Sequence, residues 1–261
     1  MIHQLIKSPK IIFPKEHIFL ISHMRANTSL FGHLLGSSDE ISGYYEMHIG
    51  YYSWKSLIRQ QLIYKQQHDD SKPTRFYFDK LLHSEHKLTK TIMDKPNCKF
   101  IFMLRNPART IQSTCNLYRK VEPEHEFATV QGAANYYFER VGHIGAMLNQ
   151  FDEFSRCYYL DAEALISKTE DTLESLSTWL GLQQPLSPEY KKFELTGSKK
   201  HGDSSSYINQ GKVRASKESY SNIELPEALL KRCDDKYRQV RDEMTAKCNM
   251  LSFDSTVSDA G

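Results

Sequence analysis

Residues 22–30, SHMRANTSL, set one arginine and two hydroxyls in a short polar turn between the apolar run HIFLI and FGHLLG. Backbone N–H groups at a helix start, backed by the helix dipole, form an anion site. Thr28 and Ser29 would add hydroxyl donors, and Arg25 a fork-shaped cation. This is phosphate-binding chemistry, although the same residues would also serve an ordinary Ser/Thr-capped helix. The Walker pattern G-x-x-x-x-G-K-S/T is missing, because no lysine precedes the hydroxyl pair and Asn27 stands where a glycine would. Asparagine tolerates positive φ better than other non-glycine residues, so the turn can still form. A second stretch, FMLRNPARTIQS, places Arg105 at the end of an apolar run and Ser113 two helical turns later. On a parallel sheet both project at the carboxyl edge, where open α/β folds bind ligands. Taken alone, the pair reads more readily as a solvent-facing strand end and a small helix-packing serine.

The elements that must hold these residues follow from the hydrophobic pattern. HIFLI (17–21), RFYFDK (75–80), CKFIFML (98–104) and the start of RCYYLDAEALI (156–166) predict buried strands, and Leu30, Leu34 and Leu35 predict a helix packed on the first. LLHSEHKLTKTIMDK (81–95) is expected as a crossover helix between the second and third strands, which implies parallel pairing with right-handed connections. Pro107 suits a first helical turn, residues 127–151 read as a long helix despite three glycines, and 169–182 reads as a helix ended by Gly181. Residues 196–212 read as a long loop, 226–248 as a terminal amphipathic helix and 249–261 as a frayed tail. The expected architecture is one α/β domain over 1–261, P-loop-like and three-layered, with a central parallel sheet of about four or five strands flanked by helices.

Composition narrows the function. Lys+Arg 34 against Asp+Glu 32 leaves a net charge of +2, so no broad field favours nucleic acid or an anionic membrane, and any anion site must be local. Five scattered cysteines without C-x-x-C spacing argue against a disulfide framework or a zinc site and fit a reducing cytoplasm. No stretch approaches the ~20 apolar residues of a membrane span. The expectation is a soluble, cytoplasmic protein with no membrane or nucleic-acid partner.

In this order and spacing the pieces resemble the sulfotransferase family that uses 3′-phosphoadenosine 5′-phosphosulfate (PAPS), in its bacterial and Golgi-type branch. SHMRANTSLFGHLL matches the 5′-phosphosulfate loop and KFIFMLRNPARTIQS the 3′-phosphate motif. YYLDAEALISKTEDTLESLSTWLGL matches the later strand and helix, and GDSSSYINQGK the closing loop. The resemblance implies that PAPS is the donor, leaving 3′,5′-adenosine bisphosphate. It implies Arg25, Ala26, Asn27, Thr28 and Ser29 around the 5′ end and Arg105 with Ser113 on the 3′-phosphate. The family usually has Ser-Gly where this chain has Ala26-Asn27.

The acceptor must lose a proton, so a base is needed. Glu46 falls where Golgi-type members carry a catalytic glutamate, with His48 in reserve. Lys80, resembling the lysine found before the 3′-phosphate motif, is expected to stabilise charge on the leaving oxygen, and His83 is either a second donor or part of a helix face. Ser204, Ser205 and Lys212 are expected near phosphate and Tyr207 near the adenine. The pair His83/His86 lacks further ligands at convincing spacing, so no metal is assigned. The acceptor is expected to be a small molecule, aromatic or cationic, since Tyr44, Tyr45, Tyr51, Tyr52 and Trp54 surround Glu46 in sequence. Some bacterial relatives sulfate specialised metabolites, saxitoxin-type guanidinium alkaloids among them. Two rivals stay open: a phosphoryl transferase using ATP and magnesium at the same turn, and a catalytically silent nucleotide-binding protein.

Overall fold

Apolar runs at four places in the chain become parallel strands, and the order in which they pair decides where a ligand can bind. The computed structural model describes residues 15–68, 74–193, 196, 208–215, 220 and 222–251. In chain order the elements are β1 (Glu16–Ile21), α1 (Thr28–Gly36), β2 (Ile41–Ser42), α2 (Trp54–Gln67), β3 (Phe76–Leu81), the single turn α3 (Lys90–Met93), β4 (Cys98–Leu104), α4 (Pro107–Val121), α5 (Val130–Leu148), β5 (Cys157–Asp161), the single turn α6 (Ala164–Ser167), α7 (Thr169–Leu180) and α8 (Glu227–Lys247). The sheet runs β2-β3-β1-β4-β5 with every neighbouring pair parallel. From central β1 the chain moves first to the β2/β3 side and later to the β4/β5 side. The order therefore reverses between β1 and β4, and a crevice must open at their carboxyl ends.

Strand alternation divides the core into two layers. Phe19, Ile21, Tyr77, Phe100, Phe102 and Tyr159 face one side with Tyr137, Val141 and Ile144 of α5 and Val240 and Met244 of α8. Ile18, Leu20, Phe78, Ile101 and Met103 face the other with Phe31, Leu34 and Leu35 of α1 and Leu173, Leu176 and Leu180 of α7. Both faces are covered, which is why the strands read as near-continuous apolar runs. All five cysteines are buried and free.

Three features depart from expectation. Residues 81–95 do not form one crossover helix: β1 lies between β3 and β4, and only Lys90–Met93 is helical. The stretch His83–Lys87 carries no apolar residue, so no buried stripe exists to support a helix there. Instead the segment runs past the loop after β2, where Leu88 bridges Tyr51 and the Thr89 amide donates to Tyr51 O at 3.0 Å. β2, two residues long, has no signature in the pattern. Asn249, within the stretch read as a frayed tail, pairs with β5: its amide donates to Cys157 O at 3.0 Å and its carbonyl accepts from Tyr159 N at 2.7 Å. Residues 252–261 lie outside the described residues. No helix among the described residues is long and apolar enough to cross a membrane.

Candidate active site

The SHMRANTSL turn leaves β1 with two residues in the left-handed region, Arg25 (φ 62°) and Asn27 (φ 59°). Asn27 fulfils the expected tolerance, whereas for arginine this backbone is strained and needs a surrounding structure that enforces it. Asn27 precedes α1 without capping it, since its side-chain amide donates instead to Ala162 O at 3.4 Å. An ordinary side-chain-capped helix start is therefore not what the polar residues build. Ala26 is fully buried in the core beneath the turn, so it contributes backbone only.

At the end of β4, Arg105 turns toward that loop. Its Nη1 donates to Arg25 O at 2.7 Å, and Arg25 Nε donates in return to Ser113 Oγ, one helix away, at 2.9 Å. Tyr220 closes the group by donating to the same Oγ at 3.2 Å. A cavity of about 390 Å³ opens at this junction, lined by Arg25, Asn27, Thr28, Ser29, Arg105, Arg109, Ser113, Glu163, Lys212 and Arg214 among others. The two separated motifs thus meet at the predicted crevice. Burial lowers the pKa of Arg105 while nearby Glu163 opposes the shift, and a guanidinium keeps its charge in either case. Several cations converge in a chain whose net charge is only +2, so the positive charge at this cavity is local.

Helix α5 fixes the strand ends. The Tyr136 hydroxyl accepts from Met24 N at 2.9 Å, and the Tyr137 hydroxyl donates to Arg105 O at 2.7 Å. One turn after Tyr136, buried Arg140 donates through Nε to Ser22 O at 2.9 Å and through Nη2 to Leu81 O at 2.6 Å, joining the ends of β1 and β3. His23 joins β1 to β4: its Nδ1–H donates to Met24 O at 2.9 Å and its Nε2 accepts from Arg105 N at 3.1 Å. Complete burial lowers the His23 pKa to about 3, which keeps the ring in this one neutral tautomer. None of these α5 or His23 roles is visible in sequence, because each depends on residues some 30 to 120 positions away.

Glu46 and its neighbours form a second cluster. Gly43 (φ 110°) leads into the loop, where an added Cβ would lie 2.3 Å from Phe78 O, and one at Gly32 of α1 would lie 2.2 Å from Tyr44 O. Only glycine fits such approaches. The loop is tied to β3 by Asp79, whose Oδ1 accepts from Met47 N at 2.9 Å and whose Oδ2 accepts from the Tyr51 hydroxyl at 2.5 Å. Burial raises the Asp79 pKa to about 7 against these donors, with Glu46 adding to the rise. Glu46 is itself buried, with His48 Nδ1 at 3.8 Å and His83 Nε2 at 3.9 Å from its Oε1. His86 stands beside them, its pKa lowered first by burial. His83 belongs to a turn at this cluster and not to a helix face.

The expected residues thus fall into two groups. Arg25, Asn27, Thr28, Ser29, Arg105, Ser113 and Lys212 line one cavity, and Glu46 and His48 belong to a separate cluster. Lys80 lines neither: it is buried at the end of β3, and alternation puts it on the α1 face of the sheet, opposite to Asp79. Arg109, Glu163, Tyr190, Arg214 and Tyr220 line the cavity without having been singled out. Arg109, one helical turn after Arg105, carried a readable periodicity; the others come from distant segments. Ser204, Ser205 and Tyr207 lie outside the described residues. Of the five aromatic residues around Glu46, Tyr44, Tyr45 and Tyr51 are core, so they make no ligand wall. Tyr52 and Trp54 are each 55% exposed.

Residues 51–185, just over half of the chain, match the family model described as "Sulfotransferase family". That segment includes Lys80, Arg105 and Ser113, while the first turn and Glu46 precede it. No curated protein sequence matches the chain. Among solved structures, the sulfotransferase domain from the curacin biosynthetic pathway is 18% identical, with a TM-score of 0.58 over 88% of this chain and 98% of that one. The sulfotransferase domain of the Synechococcus PCC 7002 olefin synthase is 17% identical, with a TM-score of 0.56 over 87% and 94%. Mouse sulfotransferase SULT7A1, solved with PAP, is 14% identical, with a TM-score of 0.55 over 90% and 87%. These likenesses establish a shared P-loop-like α/β fold, and with the family match they lead to one conclusion: the chain belongs to the sulfotransferase family.

Proposed function

We propose that the protein transfers a sulfuryl group from PAPS to a hydroxyl or amine of a small acceptor. The observation that carries this reading is the direct coupling of the two motifs, Arg25 Nε to Ser113 Oγ and Arg105 Nη1 to Arg25 O, around one cavity at the sheet's reversal point. A cavity of this volume suits a nucleotide-sized ligand. Its clustered guanidinium groups and the start of α1 fit a ligand with anionic groups at two ends. When bound, PAPS supplies an activated sulfuryl group and a bisphosphate leaving group.

The chain's own residues have separate tasks. Arg25, Thr28 and Ser29 hold the 5′ end; Arg105 and Ser113 hold the 3′-phosphate, a group ATP lacks. The rings of Tyr190 and Tyr220 on the cavity wall offer surfaces for the adenosine. Glu46 takes the acceptor proton as the acceptor's lone pair is committed to the new bond to sulfur and the bond from sulfur to the bisphosphate breaks, and Arg25 on the cavity wall offsets charge on the departing oxygen. Exposed Tyr52 and Trp54 near this end, with a carboxylate at its centre, suit an aromatic or cationic acceptor.

Thermal denaturation with ligands tests the assignment. 3′,5′-Adenosine bisphosphate without magnesium, at a hundred times its dissociation constant, is expected to stabilise the fold by about 2.7 kcal/mol. Stabilisation by ATP only in the presence of magnesium would overturn it in favour of phosphoryl transfer.

A further inference from the structure

Glu46 is only 8% exposed, and its Oε1 has no hydrogen-bond partner. A buried carboxylate oxygen without a hydrogen bond is a feature that folded proteins rarely retain without a reason. The surroundings point to one. Ligand atoms of Glu46, His48 and His86 all lie within 4.8 Å of one another, and the His48 Nδ1 to Glu46 Oε1 distance is already 3.8 Å. His83 Nε2 lies 3.9 Å from the same oxygen but is not part of this group of three. The residues come from two segments, the loop after β2 and the turn after β3, which is why neither spacing alone suggested a metal.

Two imidazoles and one carboxylate suit a zinc-class dication, whereas calcium and magnesium favour oxygen ligands throughout. Bonds of about 2.0–2.1 Å at tetrahedral angles put ligand atoms about 3.3–3.5 Å apart. His48 is exposed and His86 half-buried, so ring rotations can close the remaining gap around a carboxylate that stays in place. We propose that Glu46, His48 and His86 form a binding site for a zinc-class divalent transition metal. The site lies outside the arginine cavity, since none of the three residues lines it. One consequence rests on the function proposed above: a metal on Glu46 Oε1 draws electron density from the carboxylate and lowers its basicity toward the acceptor's proton, so zinc slows turnover without displacing the nucleotide.

Isothermal titration of the untagged full chain with zinc chloride is expected to show one site per chain, with no heat from magnesium chloride. Replacing a ligand should weaken zinc by more than about tenfold, since even outer partners of a metal act in that range. His86→Ala is the first variant, and circular dichroism checks its fold. Cobalt(II) added to the wild type is expected to give the strong visible absorption of a tetrahedral site, lost in His86→Ala. Absence of stoichiometric zinc binding, or a zinc affinity in His86→Ala and Glu46→Gln unchanged from that of the wild type, overturns the site. Zinc that competes with 3′,5′-adenosine bisphosphate also overturns it, by placing the metal in the nucleotide cavity. Zinc bound here with turnover intact keeps the metal site and removes Glu46 as the base.

Discussion

The arginine cavity and the Glu46 cluster both belong to the carboxyl edge of the sheet, yet they are built in opposite ways. Around the cavity, polar groups are cross-linked before any ligand arrives: Arg105 to the backbone of Arg25, Arg25 to Ser113, Tyr220 to Ser113, and His23 between two strand ends. Around Glu46 a buried oxygen lacks a hydrogen bond; backbone strain marks both regions, at Arg25 (φ 62°) in the first and at His48 (φ 53°) in the second. Backbone strain and unsatisfied polar atoms concentrate where a protein acts on something. The first region is prepared for a ligand of fixed shape, so its partners can be fixed too. The second keeps bonding capacity unused until another molecule supplies the complement.

The largest test of this contrast is Glu46→Gln. Loss of a general base lowers kcat by roughly 100- to 10,000-fold, whereas affinity for 3′,5′-adenosine bisphosphate, measured by titration, should not change. A matching loss of nucleotide affinity would mean that the two regions are not separate. Next in size is Arg105→Ala. Removing a charge-assisted pair costs about 1.5–3 kcal/mol, so the bisphosphate should bind roughly tenfold to a hundredfold more weakly. An analogue without the 3′-phosphate should lose far less; equal losses would show that Arg105 acts only by holding the Arg25 turn.

The smallest effect is on stability, and it has opposite signs in the two regions. His23, held neutral down to about pH 3, contributes stability that is present above its ordinary pKa of 6.5 and is lost as pH falls toward 3. Asp79, raised from 3.8 to about 7, contributes stability that is present below pH 3.8 and is lost as pH rises through 7. The melting temperature of Asp79→Asn relative to wild type should therefore climb between pH 4 and pH 7 and level off above, while both proteins keep the acid limb due to His23. A difference independent of pH would mean that burial leaves the Asp79 pKa where it stands in the unfolded chain.

Much of the donor side was legible because its signals are local. The β1 and β4 runs, Pro107 at the first turn of α4 and the hydroxyls after Arg25 each declare themselves within a dozen residues, and the family's motif order joins them. The acceptor side was legible only in part. Glu46 could be placed by its register with the turn, but nothing in HSEHK shows that His83 and His86 come to rest beside it. The expected helix over 81–95 obscured that meeting, since it assumed β3 and β4 to be neighbours when β1 lies between them. Buried charges were hidden for the same reason: Asp79 and Arg140 bond to backbone groups that only the finished sheet brings within reach.

Arg140 carries a consequence for how the two ends of the reaction stay in step. Its single guanidinium grips the Ser22 carbonyl just past β1 and the Leu81 carbonyl that ends β3, the strand to which Asp79 ties the Glu46 loop. The span between the arginine cavity and the Glu46 cluster is therefore gauged by a side chain that lies outside the cavity and whose Nη1 also donates to Ser84 Oγ, between His83 and His86, at 3.2 Å. An enzyme built this way can exchange the loops that select its acceptor while the ruler between them keeps its length.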